Sequence, residues 1–188
     1  MKNLLIVLSG PSGVGKGTIV NNLLSRGNFS LSVSATTRPP REGEREGEAY
    51  FFLSRGQFEK EIKEGGFLEY SEHFENLYGT PRKFVEDKLK VSDVVLEIEV
   101  DGALQVKKSY PEAVLIFILP PSVEELEKRL KGRGSEPPEK VEKRLSRLGY
   151  ELSKKELYDY RVINDDLLTA VGEIESIIKS KKELKNDK

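Results

Sequence analysis

The chain has 188 residues, no cysteine, 31 Lys+Arg against 32 Asp+Glu, and a formal net charge of −1. That length suits one compact domain or a core carrying inserted lobes. With 37% hydrophobic and 34% charged residues, the chain can bury a core beneath an ionic surface. The composition excludes disulfides, thiolate metal sites and cysteine nucleophiles. It also excludes a global basic field that would gather nucleic acid or an anionic membrane, so neither is expected as a partner, and no obligatory protein partner is indicated. No apolar stretch is long enough to span a bilayer. The apolar run Leu4-Leu5-Ile6-Val7-Leu8 is too short for a secretory core and leads straight into a glycine-rich turn, so a cytoplasmic enzyme is expected.

That first run reads as a buried strand. It breaks at Ser9-Gly10-Pro11-Ser12-Gly13-Val14-Gly15-Lys16-Gly17-Thr18 and resumes as a helix with Ile19, Val20, Leu23 and Leu24 on one side. Strand, glycine-rich turn and helix are the setting of a phosphate-binding loop. Glycines let backbone N–H groups turn inward around phosphate oxygens, and the helix start near Lys16 points its positive dipole end at the same anion. Lys16 adds a full charge suited to the β- and γ-phosphates of a nucleotide. The loop departs from G-x-x-x-x-G-K-[ST] once: Gly17 stands where the metal-binding hydroxyl is expected, and Thr18 follows one position late.

Gly27-Asn28 stops the helix, and residues 30–34 alternate like a strand. Pro39 and Pro40 hold the next segment extended, so that Arg38 and Arg41 project from a stiffened loop. A charged, turn-rich stretch over 42–48 precedes a strand at 49–53, and Ser54 with Gln57 forms a capping box for a short helix carrying Phe58 and Ile62. Residues 67–74 read as a strand and 77–81 as a turn, so 34–80 form a strand-rich lobe inserted between core elements, with Phe51, Phe52 and Phe67 as its core. His73, the single histidine, reads as a surface residue.

The core resumes with a helix over 81–89 and a strand over 93–100. Strand alternation would put Glu97, Glu99 and Asp101 on one face, among enough apolar neighbours to bury it. A short helix over 103–108 and the apolar strand 113–119 follow; Ser122 and Glu125 cap the helix after that. Gly132-Arg133-Gly134 ends it as a charged hinge, and Pro137-Pro138 opens a helix holding Arg144 and Arg147. Residues 161–164 form a last strand, and the final helix carries Leu167, Leu168, Val171, Ile174 and Ile178 before fraying into a lysine-rich tail. Alternating strands and helices predict an α/β fold with a mostly parallel sheet.

Transfer of a phosphoryl group between two anionic partners requires many oxygens to be neutralised and aligned, a task suited to fork-shaped guanidinium groups. Arg38, Arg41, Arg133 and Arg144 occupy loop or hinge positions fit for it. At these residues the chain resembles the guanylate kinase family. The resemblance rests on Gly10 to Thr18, on Ser34-Ala35-Thr36-Thr37-Arg38-Pro39-Pro40-Arg41-Glu42-Gly43-Glu44, on Tyr78-Gly79-Thr80, on Pro120-Pro121-Ser122, on Arg129-Leu130-Lys131-Gly132-Arg133-Gly134 and on Val162-Ile163-Asn164-Asp165-Asp166-Leu167. These blocks run in family order over nearly the whole chain.

The resemblance implies transfer of the terminal phosphate of ATP to GMP with Mg²⁺. The implied fold is a P-loop three-layer α/β/α core (about 1–33, 81–121 and 150–188), a GMP-binding lobe (about 34–80) and a small helical lid (about 122–149). Arg38, Arg41, Tyr50 and Tyr78 would hold the GMP phosphate, and Ser34, Glu69, Thr80 and Glu97 would surround guanine. Guanine offers donors at N1 and N2 and an acceptor at O6, which a carboxylate and hydroxyls match and adenine does not. Gly10, Pro11, Ser12, Gly13, Val14, Gly15, Lys16, Gly17 and Thr18 would hold ATP, with Arg129 near its phosphates and Asn164 near adenine. Lys16, Arg38, Arg133 and Arg144 would be catalytic, and Thr18 and Glu99 would serve the metal, Glu99 through water. The family pattern has aspartate at the position of Glu99, glutamine at that of Asp101, and serine in some members at that of Thr80. A guanylate-kinase-like module that binds phosphopeptides would have degraded its loop lysine and lid arginines, and a kinase of another acceptor would lack Glu69 with Ser34 and Thr80.

Overall fold

The computed structural model describes residues 2–73, 75–132 and 138–186. A five-stranded sheet of order β2-β7-β1-β8-β9 forms the centre, with β1 at Leu5–Ser9, β2 at Phe29–Leu31, β7 at Asp93–Glu97, β8 at Val114–Leu119 and β9 at Tyr160–Ile163. All its pairings are parallel. β1 shows why helices cover both faces. Leu4, Ile6 and Leu8 join one buried cluster with Ile19, Val20 and Leu23 of α1 (Lys16–Arg26) and Val171 and Ile174 of α7 (Leu167–Asn186). Leu5 and Val7 join the other, with Val85 of α3 (Arg82–Leu89) and Ala103 and Val106 of α4 (Val100–Ser109). Successive strand residues point to opposite faces, so an unbroken apolar run requires a sheet covered on both sides.

A second, four-stranded sheet of order β4-β3-β6-β5 is built from β3 (Ala35–Thr36), β4 (Phe51–Phe52), β5 (Phe67–His73) and β6 (Asn76–Pro81). Its own small core contains Ala35, Phe58, Phe67 and Leu77, with Phe51 packed against it; Phe52 is half-buried outside that cluster, its ring 6.0 Å from Tyr50. Phe58 comes from α2 (Arg55–Lys63), whose start carries the reciprocal Ser54/Gln57 capping box. α5 (Val123–Gly132) is capped as expected, the Glu125 N–H donating to Ser122 Oγ at 3.1 Å, and α6 (Pro138–Ser153) leads through a 3-10 turn at Lys155–Leu157 to β9.

Four expectations need correction. Residues 77–81 are strand, not turn: β6 pairs antiparallel with both β3 and β5. The strand expected over 93–100 ends at Glu97, and α4 starts at Val100, so Glu99 holds the N-cap position without a side-chain capping bond and Asp101 lies in the first turn. Glu97, Glu99 and Asp101 are accordingly exposed rather than buried. The lysine-rich tail stays helical to Asn186, because Lys182 Nζ pairs with the buried Asp93 at 2.6 Å and Lys181 Nζ lies 5.3 Å from the Tyr160 ring centre. Arg133 and Gly134, the expected hinge residues after Gly132, lie outside the described residues, as do Phe74 and Pro137.

Candidate functional site

The loop between β1 and α1 lies at the carboxyl end of the central strand, where open α/β sheets place their ligands. Gly10 has φ +143°, and a Cβ there would collide with the Ile118 carbonyl oxygen of β8. Gly15 has φ +97°, and a Cβ would fall 2.5 Å from Asn164 Nδ2. The loop glycines are thus required by backbone geometry and by close neighbours. Lys16 turns its ammonium back on the loop, donating to the Gly10 and Pro11 carbonyls at 2.7 and 3.0 Å. Burial pushes its pKa down, while Glu97, Glu151 and Glu99 act to hold it up. A partly desolvated ammonium at the first residue of a helix is suited to an anion.

Two cavities open from this loop. The first, about 400 Å³, is lined by Lys16, Ser34, Tyr50, Glu69, Tyr78 and Glu97 among others. Glu69 of β5 faces Thr80 of β6 in strand register, and the Thr80 hydroxyl donates to Glu69 Oε1 at 2.6 Å. Both side chains are buried, at 7% and 1% exposure. Burial raises the Glu69 pKa against the Thr80 hydrogen bonds that lower it. The other oxygen of this buried carboxylate, Oε2, is turned toward Gly102.

Arg38 stands beside this cavity. Its guanidinium carbon lies 5.4 Å from the Tyr50 ring centre, and the Tyr50 and Tyr78 rings meet edge-on at 6.0 Å. Glu44 pairs with it at 2.8 Å and also accepts the Arg41 backbone N–H at 2.8 Å; the Arg38 contact, first among causes, holds the Glu44 carboxyl low. Arg41 itself is exposed. His73 stands on the cavity wall, half-buried and 3.9 Å from Glu99.

The second cavity, about 470 Å³, is lined by Gly13, Gly15, Thr18, Arg129, Asn164 and Asp165. Asn164 Nδ2 donates to the Val14 carbonyl at 2.8 Å, tying the end of β9 to the phosphate loop. Arg129 is steadied by Glu125 at 3.2 Å and by the Asn164 carbonyl at 3.1 Å. Arg144 of α6, the expected catalytic lid arginine that lies among the described residues, donates to Ser12 Oγ within the loop. The Gly17 Cα lies beside Glu97: a Cβ there would be 3.5 Å from Glu97 Oε2. The carboxylate therefore fills the space beside Gly17, and Thr18 faces the second cavity instead.

The structure adds residues that motif reading passed over. Arg147 lines the first cavity; Tyr150 and Glu151 stand close by on the same helix. Buried Glu151 lies 3.9 Å from Arg147, and burial raises its pKa against the attraction of Arg147 and Lys16. Arg144, Arg147 and Glu151 are spaced by three and four, the one-face spacing of a helix, which was the signal available in the sequence.

A guanylate kinase family model matches residues 2–181 of the chain. The chain belongs to the guanylate kinase family. It is 52% identical over 182 residues to a guanylate kinase of Clostridium acetobutylicum, covering 96% of this chain and 87% of that one. A guanylate kinase of Thermus thermophilus is 51% identical over 95% of this chain and 81% of its own. The crystal structure of guanylate kinase from Anaplasma phagocytophilum superposes with a TM-score of 0.72 at 36% identity, covering 95% of this chain and 86% of that one. The fold expected from the resemblance, a P-loop α/β architecture with a mostly parallel sheet, is the fold observed.

Proposed function

We propose that the chain transfers the γ-phosphoryl group of ATP to GMP, giving ADP and GDP, and that the two cavities flanking Lys16 are its acceptor and donor sites. The observation that carries this reading is Glu69, a buried carboxylate bonded to Thr80 in a cavity that also holds Lys16. Guanine presents N1–H and N2–H donors to such an acceptor, whereas adenine N1 is itself an acceptor and would leave the carboxylate unpaired. Ser34 donates to the O6 and N7 edge, Thr80 borders guanine and orients Glu69 through its own hydroxyl, Glu97 closes the pocket, and Arg38, Arg41, Tyr50 and Tyr78 bind the GMP phosphate. In the donor site, residues 10–18 cradle the ATP phosphates, with Arg129 beside them and Asn164 near adenine.

Catalysis in this reading is alignment plus electrostatic stabilisation, with no covalent intermediate. Lys16, Arg38, Arg133 and Arg144 neutralise charge on the transferring group as residues 34–80 and 122–149 close over the cleft and exclude water. Thr18 on the wall of the second cavity and Glu99 on that of the first are hard oxygen donors, and either would hold Mg²⁺, which favours one or two protein oxygens plus phosphate. That ion neutralises phosphate charge when bound. The closed arrangement must carry Arg41 inward, since its side chain is exposed here.

The site division predicts separable kinetics. Arg41→Ala raises the KM for GMP by about tenfold and leaves that for ATP within twofold, and Arg129→Ala does the reverse. Parallel effects of both variants on both substrates would contradict the assignment.

A further inference from the structure

Lys16 and Arg147 are the lysine and arginine of the acceptor cavity wall, and they face the carboxylates of Glu69, Glu97, Glu99 and Asp101. A cleft so acidic repels phosphates unless its cations reach them. Arg147 is suited to that task. It lies three residues after Arg144, which contacts Ser12 of the phosphate loop, so the two guanidinium groups rise from neighbouring positions on one helical face. Its hold in this structure is slight: Nη2 donates to Glu99 Oε2 at 3.3 Å, and Nε lies 3.9 Å from Glu151. A guanidinium carries five donors, and the side chain is 42% exposed toward the cleft.

The helix that presents it is held from the other side. Tyr150 Oη donates to Asp101 Oδ1 at 2.6 Å. Glu99 and Asp101, the two acidic departures from the family pattern, are thus both engaged by side chains of α6, one residue of which reaches the cavity. We propose that Arg147 is a phosphate-contacting residue of this chain. It leaves Glu99 when both nucleotides are bound and donates to phosphate oxygens between them, while Tyr150 and Asp101 keep α6 in place.

The proposal rests on the nucleotide-site reading above, and metal-free binding tests it without involving Glu99 as a metal group. The probe is adenosine and guanosine joined 5′ to 5′ through five phosphates, titrated calorimetrically in EDTA. Arg147→Ala weakens binding by about 10- to 100-fold, the loss of one or two charge-assisted hydrogen bonds, and Arg147→Lys recovers part of it. Glu99→Gln, which releases the guanidinium from its carboxylate, binds as tightly as the parent or more so. Arg147→Ala binding within twofold of the parent would overturn the proposal. So would equal weakening in Glu99→Gln and Arg147→Ala, because Arg147 would then act only as the partner of Glu99. A parent that fails to bind the probe would remove the nucleotide-site reading itself, and this proposal with it.

Discussion

Glu69→Gln isolates the group that distinguishes guanine from adenine in this account. Gln has nearly the same volume, so the buried pocket keeps its packing. The Thr80 hydroxyl donates to Glu69 Oε1 at 2.6 Å and would hold the amide oxygen of Gln on that side. The amide NH₂ then faces the guanine N–H edge, donor against donor. A lost hydrogen bond to a charged group costs about 1.5–3 kcal/mol, and a buried donor left unsatisfied costs about 1–3 kcal/mol more. Together they weaken GMP by about two to four orders of magnitude. Titration calorimetry with GMP and with ATP reads this directly, and ATP affinity should stay within twofold. Folding stability moves the other way. Burial raises the Glu69 pKa, so the folded state holds that proton more tightly than the unfolded chain. The group therefore supports folding below the ordinary carboxylate range and opposes it as pH rises through its folded value. The neutral amide is exempt, so the melting temperature of Glu69→Gln relative to the parent should rise from acid to neutral pH. A GMP affinity lowered less than threefold, or ATP affinity lowered in parallel, would refute the reasoning.

Further outcomes follow from other contacts. Lys16→Met should lower kcat by at least 10³-fold while melting within a few degrees of the parent, since the ammonium bonds only loop carbonyls among the described residues; stopped assays and calorimetric scans check both. Gly15→Ala combines φ +97° with a Cβ 2.5 Å from Asn164 Nδ2, so it should destabilise the fold by about 2–4 kcal/mol in urea and weaken ATP more than GMP. Asp93→Ala removes the acceptor of the Leu4 N–H at 2.9 Å and leaves Lys182 without its carboxylate, costing about 3 kcal/mol by the same measure.

What the sequence discloses depends on how local the cause is. The phosphate loop was legible because each part of it, apolar strand, glycines at positive φ and helix start, is written within one short stretch. β6 was not. Its Gly79 and Pro81 read as turn residues, yet Gly79 is glycine because a Cβ would meet the Glu69 carbonyl at 2.9 Å and the Phe67 and Phe58 rings at 3.0 and 3.1 Å. That demand comes from partners in sequence-distant elements. The stretch Glu97-Ile98-Glu99-Val100-Asp101 alternates like a strand, and the Ile98 N–H does extend the ladder to the Leu8 carbonyl at 3.3 Å, but the chain then turns into α4. Glu69 and Thr80 could be assigned to guanine only through family likeness; their direct hydrogen bond is a product of strand register. Arg147 lay in plain view on a helical face shared with Arg144, with nothing local to say that the face meets the cleft.

The most direct test of the whole account is ADP release from ATP and Mg²⁺ with GMP, AMP, UMP and CMP offered in parallel. Turnover with GMP exceeding that of the other three by at least a hundredfold is the predicted result, because of the four bases guanine alone presents adjacent N1–H and N2–H donors to the buried Glu69 carboxylate. Comparable turnover with AMP, or none with GMP, would contradict it.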